Sequence, residues 1–176
     1  TLPSAWQWLT TLGILLGFGA IALALGFAQG ILQWNPWQAP WYRQLGLLLK
    51  LLIIPALVQE YVFRVLMIPY PKDWVPVWNW WAWALLALGI FVGYHALQGR
   101  LSQRSQLTVS TQPIWLTLIT LLGLACILTY RFTGSLWTIT IVHWGFVSVW
   151  RLLLGGQQQL QRARNDRSKP LFYIGK

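Results

Sequence analysis

The stretch Gln59-Glu60-Tyr61-Val62-Phe63-Arg64 decides how this chain is read. It lies inside a run from Gln44 to about Ile68 that is otherwise apolar enough to cross a membrane. Glu60 is the only glutamate in the chain. An ionised carboxylate at the bilayer centre costs about 2.5–3.5 kcal/mol or more unless something compensates it. Arg64 follows four residues later, on the same face of a helix, where the two side chains can meet. An acid at membrane depth with its own partner marks a candidate functional site.

Outward from this stretch, the chain alternates long apolar runs with short polar ones. Of its 176 residues, 56% are hydrophobic and only 9% charged, against about 25% charged in a soluble domain. The reading is an all-α, polytopic transmembrane helix bundle of about five spans. The first runs from Trp6 to Leu32 and has a close-packing pair in Gly13 and Gly17. The second is Gln44 to Ile68, stopped by Pro69 and Pro71. The third is Trp78 to Leu97. The fourth is Ile114 to Tyr130, with Pro113 at its start. Thr133-Gly134-Ser135 then turns into the fifth, Leu136 to Leu154. Residues 1–156 form the helical domain, and 157–176 a basic cytoplasmic tail.

The net charge of +10 reflects a shortage of acids, Glu60, Asp73 and Asp166 being all there are. Such a balance fits membrane-surface anchoring, and nothing in the pattern points to nucleic acid. The lipid bilayer and other membrane proteins are the expected partners. Cys126 is a lone cysteine, which excludes an internal disulfide and a thiolate zinc cluster. The fourteen tryptophans are read as interfacial anchors, densest at Trp74, Trp78, Trp80, Trp81 and Trp83. Arg43, Arg100, Arg104, Arg162, Arg164, Arg167, Lys169 and Lys176 fall on one side, Lys72 and Arg131 on the other. The positive-inside rule puts the C-terminus in the cytoplasm. The chain has no recognisable signal peptide, and the lack of an initiator Met leaves room for sequence upstream.

His95 and His143 are the only histidines, and both fall in spans. At 1.5 Å per residue, Glu60 lies roughly 13 Å from the non-cytoplasmic face, His143 roughly 12 Å and His95 roughly 20–25 Å. All are within a hydrocarbon core about 30 Å thick, so one shared internal site on three helices is expected. Each also has a plainer reading. A histidine in a span can bond a neighbouring carbonyl, Glu60 with Arg64 can be a structural ion pair, and Phe91 can be packing.

These residues resemble the CAAX protease and bacteriocin-processing (CPBP, or Abi) family of intramembrane glutamic-type endopeptidases. That family is recognised by EExxxR, FxxxH and HxxxN on consecutive core helices. Here they read Gln59-Glu60-x-x-x-Arg64, Phe91-x-x-x-His95 and His143-x-x-x-Val147, and the match covers about residues 45–154. The resemblance implies cleavage of prenylated CAAX peptides. It puts the water-activating acid at position 59 with His95, and oxyanion donors at His143 and position 147. Two positions depart: Gln59 has no useful basicity near neutral pH and Val147 has no donor.

The leading expectation is therefore a pseudoprotease, a membrane scaffold or assembly factor that binds other membrane proteins or a lipid-like ligand. The rival is an active endopeptidase that uses Glu60, His95 and His143. No cofactor is expected. A metal or a tetrapyrrole magnesium at His95 or His143 is the third option, since neutral imidazole can ligate either. The Trp-, Gln- and Leu-rich style resembles cyanobacterial members, which implies a plasma or thylakoid membrane.

Overall fold

The computed structural model describes residues 2–101 and 112–168. The described residues are helical, with no strand and one isolated parallel bridge between Asn35 and Leu154. The helices are α1 (Ala5–Ala28), α2 (Trp41–Leu66), α3 (Val77–Leu101), α4 (Pro113–Thr133), α5 (Leu136–Leu152) and α6 (Gly156–Ser168). Four of them, α1 to α4, are long and apolar enough to cross a membrane. The fifth expected span is α5, whose 17 residues stand at the short end of the ~17–25 that suffice. The chain is an integral membrane protein built as a polytopic helical bundle.

Helix ends follow local chemistry. Ser4 caps α1 in a reciprocal box with Gln7, satisfying two otherwise unpaired amides. Pro113 opens α4, where its missing N–H costs nothing. Gly134 closes α4 with φ +59, a conformation that suits glycine. A Cβ there would also sit 2.8 Å from the Tyr70 ring. The α3 helix runs past the expected end at Leu97 to Leu101, so Arg100 belongs to its last turn. The tail expected from Gln157 begins as α6, whose Gln158 and Gln159 amides donate to the Asn35 and Ile31 carbonyls. Arg104, Lys169 and Lys176 lie outside the described residues.

α4 is the centre of the bundle, packed against α1, α3 and α5. Lipid tails are as apolar as leucine, so close packing and hydrogen bonds, rather than exclusion of water, hold such helices together. Not all tryptophans are anchors, as the sequence suggested. Trp80 is buried at 2% exposure and donates to the Pro69 carbonyl at 2.9 Å. Trp115 and Trp150 stack in the core with centroids 4.4 Å apart. Trp74 and Trp78 do remain exposed.

The second span is not the single regular helix expected. Ile54 is extended at φ −128, ψ 113 and precedes Pro55. A proline disfavours the helical region for the residue before it and has no N–H to donate. The helix therefore breaks there. Leu52–Leu57 and Tyr61–Leu66 are wound as wider π turns, a form that recurs at functional sites. Val58–Glu60 lies between them.

Candidate functional site

The break and the two π turns set the aim of Glu60. Its residue is wholly buried, with one carboxylate oxygen hydrogen-bonded and the other in an ion pair. His143 Nδ1–H, from α5, donates to Oε1 at 2.6 Å. Arg64 Nε stands 3.2 Å from Oε2. The second contact is an ion pair and not a hydrogen bond. Arg64, 1% exposed, also donates from Nη2 to the Gly123 carbonyl at 3.2 Å. Its guanidinium lies 4.3 Å over the Phe91 ring, which adds a cation–π attraction in a desolvated setting.

Phe91 links the rest. Its ring centroid is 4.4 Å from that of His95 and 6.1 Å, edge-on, from that of His143. His95 Nδ1–H donates to the Phe91 carbonyl at 2.9 Å. Both imidazoles thus use Nδ1 as the donor, so in a neutral ring the lone pair is on Nε2. A carboxylate and a guanidinium are buried side by side, with the His143 imidazole beside them. Of the three groups expected to share one internal site, the structure puts Glu60 and His143 in direct contact and sets His95 beside them across Phe91.

The resemblance implied an acid at position 59 working with His95, and it gave Glu60 no role of its own. Glu60 is paired with His143, not with His95. Gln59 is half-buried, and its Oε1 has no hydrogen-bond partner among the described residues. Val147 is half-buried, one helical turn beyond His143, and offers only methyl groups. A neutral His143 whose Nδ1–H is committed to Glu60 presents an acceptor, not a donor, to any oxyanion. Among the described residues, no group of three His, Cys, Asp or Glu side chains could hold a metal ion. Cys126 is buried, with Sγ 3.9 Å from the Ile139 carbonyl.

Two participants were missed in the sequence. Gly123 supplies the carbonyl under Arg64. It also leaves the space that Leu88, Phe91 and Arg64 fill, with a Cβ there falling 2.5, 3.3 and 3.4 Å from their side chains. A glycine within an apolar run is the only sequence signal for such close approach. Pro55 was the other, and its signal was plain: a proline in the middle of a helical pattern.

A family model described as type II CAAX prenyl endopeptidase Rce1-like matches residues 40–149, more than half of the chain. That span takes in α2, α3, α4 and nearly all of α5, and so every side chain of this cluster. Comparison with curated proteins and with solved structures gives no match.

Proposed function

The chain belongs to the type II CAAX prenyl endopeptidase Rce1-like family, and on that premise we propose that it is a member whose catalytic centre has lapsed. In this reading it is a membrane scaffold or assembly factor that holds other membrane proteins or a lipid-like ligand. The observation that carries the reading is the state of the one carboxylate at membrane depth. Glu60 is fully buried, hydrogen-bonded to His143 through Oε1 and ion-paired with Arg64 through Oε2, so its carboxylate is tied to structural partners in a spot closed to solvent. Gln59 stands where the family has its acid. A general base must reach the proton it removes with a lone pair to spare. The pair Glu60–Arg64 then keeps α2 wound against α4 and α5 rather than serving chemistry.

The test is cleavage. Purified protein incubated with prenylated CAAX peptides is expected to release no tripeptide above background. Replacing Gln59→Glu together with Val147→Asn supplies both missing groups and is the variant expected to gain turnover. Loss of one oxyanion donor alone typically costs about 100- to 1000-fold in rate. Cleavage by the unaltered protein that vanishes in Glu60→Gln and in His95→Ala would overturn the reading and make Glu60 the base. An absorbance spectrum of the same preparation decides the tetrapyrrole option, which predicts strong visible bands.

Orientation rests on the distribution of Lys and Arg about the spans. We place the α6 end in the cytoplasm of a bacterial plasma or thylakoid membrane. Three helices separate Lys72 from Arg162, so the two face opposite sides. Lys72→Cys and Arg162→Cys, each in a Cys126→Ser background, are expected to react with impermeant maleimide from opposite faces, Arg162→Cys from inside. Reaction of Arg162→Cys from the outer face would reverse the assignment.

A further inference from the structure

Lys50 is a cation within the second span that the Glu60 cluster leaves unused. Its level in the bilayer follows from two contacts between α5 and the chain leading through α2. At the end of α5, the Leu152 carbonyl accepts the Trp37 amide at 2.7 Å. Eight residues back along α5, roughly 12 Å away, Trp144 Nε1–H donates to the Leu48 carbonyl at 2.9 Å. Trp144 is the middle residue of α5, which runs Leu136–Leu152. Leu48 is therefore level with the middle of that span. Lys50, two residues on, lies near the bilayer midplane.

At that depth Lys50 is exposed on the outside of the bundle, so hydrocarbon surrounds it. Among the described residues no carboxylate pairs with it; the ion pairs join Glu60 to Arg64 and to His143. A lysine near a helix end can snorkel to the headgroups. From the midplane its four-carbon stem is too short to do so. Charged side chains at such depth are costly and almost always paired. The face around Lys50 is open. Gly46, one turn earlier on the same side of the helix, is exposed, and a Cβ there would meet nothing within 4 Å. A glycine so placed lets a second helix backbone come close. The Trp41–Leu51 segment packs against α5 on its other side, where Leu51 is buried.

We propose that the Gly46–Lys50 face docks a transmembrane helix of another membrane protein, one that carries an aspartate or glutamate at mid-membrane. The proposal rests on the scaffold reading for there being a partner to hold, and it names that partner's chemistry. Lipid phosphates and carboxylates sit at the membrane surface, whereas a helix fixes an acid at any depth. With no water to compete, a carboxylate set against the ammonium makes a strong charge-assisted contact. A second copy of this sequence cannot supply the acid. Its carboxylates are Glu60, Asp73 and Asp166. Glu60 is wholly buried, Asp73 lies in the turn between α2 and α3, and Asp166 lies in α6 beyond the end of α5.

The test is a titration of the whole chain in phosphatidylcholine vesicles with an apolar host helix of about 20 residues. The host carries either aspartate or leucine at its centre, which keeps the acid at mid-membrane whichever way it inserts. Energy transfer from the protein's tryptophans to a dansyl group on the host reads association. The aspartate host is expected to bind about tenfold more tightly than the leucine host. Lys50→Met keeps the bulk of the stem and removes the charge. It is expected to erase the preference without lowering the melting temperature. Gly46→Leu grows into open space and is expected to weaken the aspartate host about tenfold, again without loss of stability. Moving the aspartate to the end of the host is expected to abolish the preference, because depth is what the face selects. Equal affinities for the two hosts would sink the proposal, as would a preference that survives Lys50→Met. Competition by oleate would give the ammonium to a lipid carboxylate instead and overturn the helix partner. Equal affinities together with absent CAAX cleavage would leave the lapsed centre standing and remove only this partner. Should Lys50→Met fail to fold, the central and displaced aspartate hosts decide on the unaltered protein.

Discussion

Arg64→Ala is expected to destabilise the protein by about 3–5 kcal/mol, because it leaves a buried carboxylate without its cation. The site makes this loss larger than that of an ordinary ion pair. Arg64 holds Glu60 through Nε, the Gly123 carbonyl through Nη2 and the Phe91 face through the plane of the guanidinium. Truncation removes all three contacts and opens a cavity at the meeting of α2, α3 and α4. His143 remains hydrogen-bonded to Oε1, which offsets part of the loss. The companion variant, Arg64→Ala with Glu60→Gln, removes the stranded charge. It is expected to recover part of the loss, so that the double variant is more stable than the single one in the same detergent. Equal unfolding free energies for the two would mean that Glu60 is not ionised beside Arg64. The destabilisation would then come from lost packing alone.

Gly123→Val is expected to cost about 1–3 kcal/mol or more, although valine suits an apolar span. A Cβ at this position falls 2.5 Å from Leu88 Cδ1, inside any real contact distance, and 3.3 and 3.4 Å from Phe91 and Arg64. Leu88 can turn its terminal methyl aside. Phe91 and Arg64 have less freedom, because each is held on its other side by His143 and Glu60. The displacement is therefore carried into the cluster rather than absorbed at the surface. Gly123→Ala shares the first clash without the branched bulk and is expected to fall between the two in thermal unfolding. A valine variant as stable as the parent would show that α3 and α4 can move apart without loss. The close approach inferred at Gly123 would then carry no energetic weight.

Glu60 and His143 join α2 to α5 directly. The EExxxR and HxxxN segments meet through the second acidic position, not the first. Gln59 is consequently free to differ without disturbing the ion pair that holds α2 in place. In the proposed reading, that separation is why Glu60, Arg64 and His143 can be kept as a structural unit while Gln59 and Val147 depart from the motif.

The sequence alone was enough for the spans, because burying backbone in lipid demands long apolar helices and leaves an unmistakable composition. It was enough for the Glu60–Arg64 pair too, since four-residue spacing within one helix is a local property. It also placed both histidines in apolar spans, a matter of counting residues. Tertiary structure alone decided which histidine Glu60 would reach, because α3 and α5 both present one and their rotation about α2 has no local code. It decided that Trp80, Trp115 and Trp150 are core rather than interface, since a tryptophan in an apolar span suits either. It decided the role of Gly123, whose carbonyl and missing side chain matter only once Arg64 arrives from α2. The break at Ile54 and Pro55 stood between these cases. Proline announced it locally, but only the packing of α2 against α5 turned the break into an aim for the carboxylate.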